Sequence, residues 1–244
     1  GLGLLDSQNR SRFHPLDALG LAKSRVVWTW RELGGFEKAQ QAYPYATHLL
    51  LPDIAFQTGP FWNQGAGFDP PPKLMVDVLL FLRSDKESKY REVRRNDTIL
   101  GQLLEDSRKK LIIGTAGHPP LENSSLTSSA DPLTFRVVDW KHRLSMEGIS
   151  SDPLNVASAV QLLKLGKVVI CDRLHAAITA YLSGVPFVYL DQSTGKVSKT
   201  LAVAFNSTGF EHDCQDGTQH MWAKALNLPE AMDKALAMMQ TLKL

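Results

Sequence analysis

Arg173 and His175 stand one residue apart where a β-branched run hands over to a helix-forming stretch, in the segment KVVICDRLHAAITAYL. A helix start exposes unpaired backbone N–H groups and the positive end of the helix dipole, so its first turn attracts anions. Arg173 adds a planar, two-pronged cation to that spot, and His175 adds a group that titrates near neutral pH. Together these types at this spacing suit a small, multiply charged anion undergoing proton transfer. The same residues also fit an ordinary α/β crossover, with Asp172 as the helix N-cap, Arg173 at the surface and His175 merely solvated.

The surrounding pattern predicts what positions them. Lys167–Cys171 reads as a strand covered on both faces and Leu174–Leu182 as the helix that follows. Upstream, Val26–Trp30 reads as a strand, Phe36–Ala42 as a short helix and His48–Leu51 as a second strand, the tail of an α/β domain. Gly65–Pro72, GAGFDPPP, is a linker signal, because glycine frees the backbone while three prolines forbid regular structure. Residues 1–66 are therefore expected to be the remnant of an N-terminal α/β domain, and residues 73–244 a second domain. In the latter, Leu74–Leu82 reads as a strand, Glu87–Arg94 and Asp97–Lys109 as helices, and Leu111–Ile113 as a brief strand. Gly114–Pro132 lacks periodicity and reads as a loop. Phe135–Trp140 reads as a strand and Leu154–Leu165 as a helix closed by Gly166. After the motif come a strand at Phe187–Leu190 and helices near Val197–Phe205, Trp222–Leu226 and Glu230–Leu242. Strands alternating with helices in this way predict an α/β fold with a parallel, Rossmann-like sheet.

Several pieces, in order, resemble one family. Asp172-Arg173-Leu174-His175, Gly184-Val185-Pro186, Asp191 and Gly195-Lys196-Val197 resemble the signature of the polysaccharide pyruvyl transferases. Phe81-Leu82-Arg83-Ser84-Asp85-Lys86-Glu87-Ser88 resembles a stretch of that family's eukaryotic-like branch, and Val138-Asp139-Trp140 and Leu51-Pro52-Asp53-Ile54-Ala55-Phe56 also have counterparts there. The similarity runs from about Trp28 to Val203. Family members usually open with a longer N-terminal α/β domain. This chain begins Gly1-Leu2-Gly3 and shows no counterpart over residues 1–27, so it is expected to be an N-terminally truncated fragment.

The resemblance implies a GT-B-like fold in which residues 73–244 bind the donor and residues 1–66 face the acceptor. It implies transfer of pyruvate from phosphoenolpyruvate to a sugar, such as a terminal galactose of a glycan, as a cyclic ketal, with release of phosphate. Phosphoenolpyruvate is then a co-substrate and no cofactor is required. The donor carries a phosphate and a carboxylate close together, which calls for at least two cations. Arg83 and Arg173 each follow a predicted strand, and parallel strands open their carboxyl ends on one edge, so both can face one crevice. An exposed Arg83 paired with Asp85 is the alternative. His175 is the expected general acid or base. Leu174 belongs to the donor motif, and Lys196 either steadies the leaving phosphate or is a surface lysine in a turn. Asp53 and His48 are weaker acceptor-side candidates, Asp53 being equally suited to capping. A GT-B glycosyltransferase using a nucleotide sugar, or a non-catalytic glycan-binding paralogue, would show many of the same features.

Composition narrows the classes further. At 244 residues, 43% hydrophobic and 21% charged, the chain can bury a substantial core. A net charge of +2 argues against electrostatic binding of nucleic acid. Lys89–Arg95, KYREVRR, interleaves Glu92 at helical spacing and reads as a solvated helix face. Cys171 reads as a small core residue; Cys171 and Cys214 permit one disulfide but do not suggest a framework. Asp172 and His175 lack a third ligand for a metal, and His14, His118, His142, His212 and His220 lack partners at ligand spacing. Sequons stand at Asn96, Asn123 and Asn206, more than chance gives a chain with seven asparagines, which favours a secretory lumen such as the Golgi for a eukaryotic protein. A bacterial relative would be cytoplasmic. The sequence leaves the oligomeric state open.

Overall fold

A computed structural model of the chain describes residues 27–44, 46–58, 76–83, 88–91, 96–115, 133–138, 156–191, 194–208 and 221–244. They fall into two compact units, Gly1–Gln57 with Lys199–His212, and Thr58–Ser198 with Asp213–Leu244. The linker expected at Gly65–Pro72 lies outside the described residues, as do Asp139, Trp140 and Cys214.

The smaller unit contains a βαβ turn of chain: β1 (Val27–Trp30), α1 (Leu33–Ala42) and β2 (Thr47–Leu50), with β1 and β2 paired in parallel. Trp28 and Trp30, two residues apart on one strand face, pack with Tyr43 and His48 into an aromatic cluster. A short 3-10 helix, Ile54–Thr58, follows.

The larger unit is built on five parallel strands, β3 (Val76–Phe81), β4 (Phe135–Val138), β5 (Gly166–Cys171), β6 (Phe187–Leu190) and β7 (Trp222–Ala225), in the order β4-β3-β5-β6-β7. The chain steps from β3 out to β4, then returns past β3 to β5 and proceeds the other way. The reversal between β3 and β5 is the topological switch point of a Rossmann-like, doubly wound sheet. Its helices are α2 (Asp97–Thr115), α3 (Val156–Leu163), α4 (Leu174–Leu182) and α6 (Leu228–Leu242); α5 (Lys196–Thr208) begins here, its residues from Lys199 on belonging to the smaller unit. On one face Val78, Leu80, Val168, Ile170, Val188 and Leu190 form a core with Leu100 and Leu104 of α2 and Met232, Leu236 and Met239 of α6. On the other, α4 lies against β5 and β6, and α3 packs on α4. With both faces covered, β5 and β6 are continuous apolar runs rather than alternating ones.

Three local expectations are corrected. Gly166 does not close the preceding helix but is the first residue of β5, opposite Val76. A Cβ there would lie 2.5 Å from Leu79 Cβ and 3.0 Å from the Leu79 nitrogen, so the strands approach closely only because the position has no side chain. Leu111–Ile113 is not a strand but continues α2, because extending an existing helix costs far less than nucleating a new element. Trp222–Leu226 is not a helix. Its first four residues form β7 alongside β6, where ladder hydrogen bonds to a neighbour outweigh the helix propensity of a stretch too short to nucleate. Of the helix expected at Glu87–Arg94 only residues 88–91 are described, with a turn at Lys89 and Tyr90.

Two features fix the sheet's ends. After α4, Gly184 takes a left-handed φ of 66°, and the N–H of Val185 reaches back to the Ala180 carbonyl at 3.0 Å, which turns the chain into Pro186 and β6. At the amino ends, Lys167 Nζ of β5 lies 2.9 Å from Asp77 Oδ1 of β3. Thr134, just before β4, donates its N–H and hydroxyl to Asp77 Oδ2, each at 2.8 Å. Burial alone would raise the Asp77 pKa, but Lys167 and Thr134 together hold it below the ordinary carboxylate value.

Candidate active site

Phe81 and Cys171 are paired across β3 and β5, so Arg83 and Arg173, each two residues further on, leave the sheet side by side at the switch point. Asp172 between them is almost fully buried, at 1% exposure. It is not the N-cap of α4 as the sequence suggested. That position belongs to Arg173, whose own side chain makes no capping hydrogen bond. The Asp172 carboxylate turns instead to the neighbouring strand exit. Its Oδ1 accepts the Arg83 N–H at 2.8 Å and its Oδ2 accepts the Ser88 hydroxyl at 2.7 Å. Ser88 Oγ in turn accepts the Tyr90 N–H at 3.1 Å. Arg83 lies past the last paired residue of β3, so its N–H needs an acceptor from outside the ladder, and a buried carboxylate needs donors.

Burial pushes the Asp172 pKa above the ordinary carboxylate value; the Ser88 hydroxyl, the Arg83 N–H and the charges of Arg173 and Arg83 pull it back only in part. Both guanidinium charges are therefore felt at one carboxylate. The Tyr90 phenol, raised first by burial and then by the negative charges of Asp172 and Asp191, is a protonated donor close to the same edge.

Two successive crossovers treat their aspartates differently. After β6, Asp191 Oδ1 accepts the Ser198 N–H at 3.0 Å, and the Ser198 hydroxyl donates to Asp191 Oδ2, so α5 is closed by its own carboxylate. Lys224 of β7 donates to Ser198 Oγ at 2.9 Å and sits 3.1 Å from Asp191. After β5, α4 begins with a cation where an acceptor normally stands. Omitting a capping acceptor costs about 1 kcal/mol, and a positive charge at the positive end of the dipole adds to it. An anion docked there would relieve both. His175 is exposed in this first turn, while the Leu174 side chain is buried. Lys196 is the exposed first residue of α5, on the same carboxyl edge one strand further along.

Arg83, Arg173, Leu174, His175 and Lys196 thus share one edge of the larger unit. Asp53 and His48 lie in the smaller unit and have partners there. Asp53 pairs with Arg31 and accepts the Ala55 N–H at 3.2 Å at the start of the 3-10 helix. His48 Nδ1 accepts from Trp30 Nε1 at 3.1 Å, and its Nε2 donates to the Tyr43 carbonyl at 2.9 Å. No group of three or more potential metal ligands occurs among the described residues. Sequence reading assigned no role to Ser88, Tyr90, Ser198 or Lys224. Ser88 lies in the quoted family stretch, which was the available signal; Ser198 and Lys224 left none.

Residues 30–194, more than half of the chain, match the family model described as polysaccharide pyruvyl transferase. That span holds Arg83 and the whole Asp172–His175 motif. No curated protein matches the chain.

Proposed function

Since the chain belongs to the polysaccharide pyruvyl transferase family, whose members are transferases acting on polysaccharides, we propose that its donor is phosphoenolpyruvate and its acceptor a terminal galactose-like sugar. The observation that carries this reading is the exit of Arg83 and Arg173 from neighbouring parallel strands, beside a helix start whose N-cap is a cation. Two guanidinium forks match the two anionic groups of phosphoenolpyruvate, and the first-turn N–H groups of α4 add donors suited to phosphate.

The reaction then proceeds in two steps, an addition and a displacement. Protonation of the donor's methylene carbon makes it a methyl group and leaves the adjacent carbon cationic, and a sugar hydroxyl adds there. A second hydroxyl of the same sugar displaces phosphate from that carbon, closing the cyclic ketal. His175 is the exposed proton carrier at this edge and moves a proton in one or both steps. Lys196 steadies the departing phosphate. A secretory lumen suits this acceptor, and it is favoured by the exposed sequon residue Asn96. Its Oδ1 accepts the Ile99 N–H at 3.1 Å, and glycosylation takes place at the other amide atom.

The deciding experiment incubates the chain with a galactose-terminated acceptor and either phosphoenolpyruvate or a nucleotide sugar. Phosphate release with ketal formation is expected from the first and no nucleotide release from the second. Release of nucleotide would replace the proposal with a glycosyltransferase. His175→Ala is expected to lower kcat by about 10²–10⁴-fold while leaving phosphoenolpyruvate affinity within a small factor; unaltered turnover would remove His175 from the chemistry.

A further inference from the structure

We propose that Asp172 and Ser88 are positioning residues: the two oxygens of one buried carboxylate hold the Arg83 backbone and the Ser88 hydroxyl at the exit of β5, and so set where the Arg83 guanidinium stands beside Arg173. Oδ1 holds the Arg83 N–H at 2.8 Å and Oδ2 holds the Ser88 hydroxyl at 2.7 Å. The Tyr90 N–H donates to Ser88 Oγ at 3.1 Å, which orients that hydroxyl toward the carboxylate. This inference rests on the donor-site reading and adds to it the residues that make the site rigid.

The comparison with Asp191 carries the argument. Both aspartates follow directly on a strand, Asp172 after β5 and Asp191 after β6. Asp191 spends both oxygens on its own helix. Asp172 turns its two oxygens to Arg83 and Ser88 and is almost entirely removed from water. A buried carboxylate is costly, and helix stability alone would have sent its hydrogen bonds to the first turn of α4. They go instead to the backbone of one donor-binding arginine and to the hydroxyl of Ser88. A long, many-rotamer side chain whose backbone origin is fixed loses less freedom on binding an anion, and an error of about 1 Å in its origin is expensive for recognition.

The test titrates the full chain with inorganic phosphate and with phosphoenolpyruvate by calorimetry, alongside steady-state kinetics. Ser88→Ala is expected to weaken both ligands roughly fivefold or more and to raise KM with kcat held within about twofold, and Ser88→Thr, which keeps the hydroxyl, is expected to restore them. A merely structural serine would lower the melting temperature without this split. Asp172→Asn, which keeps one acceptor for the Arg83 N–H and loses the acceptor for Ser88, is the second variant, with the same weakening expected. Wild-type affinity in Ser88→Ala and Asp172→Asn, while Arg83→Lys binds weakly, would overturn the tether and leave the donor site standing. Wild-type affinity in all three would overturn the donor site and the tether together.

Discussion

β3 and β5 are tied at both ends by an aspartate, and the two ties differ in kind. At the amino end, Asp77 faces Lys167 and Thr134, and its carboxyl is held below the ordinary pKa. At the carboxyl end, Asp172 is buried, bonded to a backbone N–H and a hydroxyl, and its carboxyl is held above the ordinary pKa although two guanidinium charges are near. The first end settles its charge locally. The second keeps a carboxylate out of water and places a cation at a helix start, two choices that lower stability. A strand pair selected for stability alone would carry the first arrangement twice, and departures of this kind concentrate where function is served.

The largest expected difference is in stability. Asp172→Ala leaves the Arg83 N–H and the Ser88 hydroxyl without their acceptor, at about 1–3 kcal/mol for each buried group, whereas water can replace much of what Asp77→Ala removes, at about 1 kcal/mol. Urea unfolding midpoints measure both, and equal losses would erase the contrast. Next comes donor affinity: Arg173→Lys is expected to raise the phosphoenolpyruvate KM more than about tenfold, because an ammonium cannot reproduce the bidentate fork. Lys167→Met, at the other end of the same strand, should leave KM unchanged and cost less than about 1 kcal/mol.

The smallest effects are in the pH dependence of stability. The unfolded chain binds its proton at Asp77 more tightly than the folded chain does. Stability from this group is therefore complete above the ordinary carboxylate pKa and is lost as pH falls through the lowered value. At Asp172 the folded chain binds the proton more tightly, so stability declines as pH rises from the ordinary value through the raised one and is level beyond it. Unfolding free energies measured between about pH 3 and 7 should lose the acid-side rise in Asp77→Asn and the decline in Asp172→Asn. Parallel curves for the two variants would show that the ends are electrostatically alike.

What the sequence disclosed follows the range over which each interaction acts. β5, α4 and β6 were legible because an apolar β-branched run, a stretch of helix formers and Gly184-Val185-Pro186 each carry their signal within a few residues. The parallel sheet followed from the alternation of such runs. β7 was misread because WAKA is a strand only by virtue of its pairing with β6. Leu111–Ile113 was misread because β propensity yields to an α2 already formed. The role of Asp172 was hidden for a related reason: a capping residue is recognised by its neighbours, but the donor it serves lies 89 residues away. Arg83 and Arg173 could be placed on one edge from topology, while the serine between carboxylate and backbone could not.

The bare backbone at Gly166 has a consequence far from where it sits. Only a hydrogen atom separates it from Leu79, and this lets β5 lie flush against β3 at their starting ends. Seven residues later, roughly 23 Å along at strand rise, the same two strands release Arg173 and Arg83. Gly166→Ala would act as a wedge under one arm of a calliper, so the spacing at which these two arginines leave the sheet is calibrated by a missing methyl group at the opposite end of the tool.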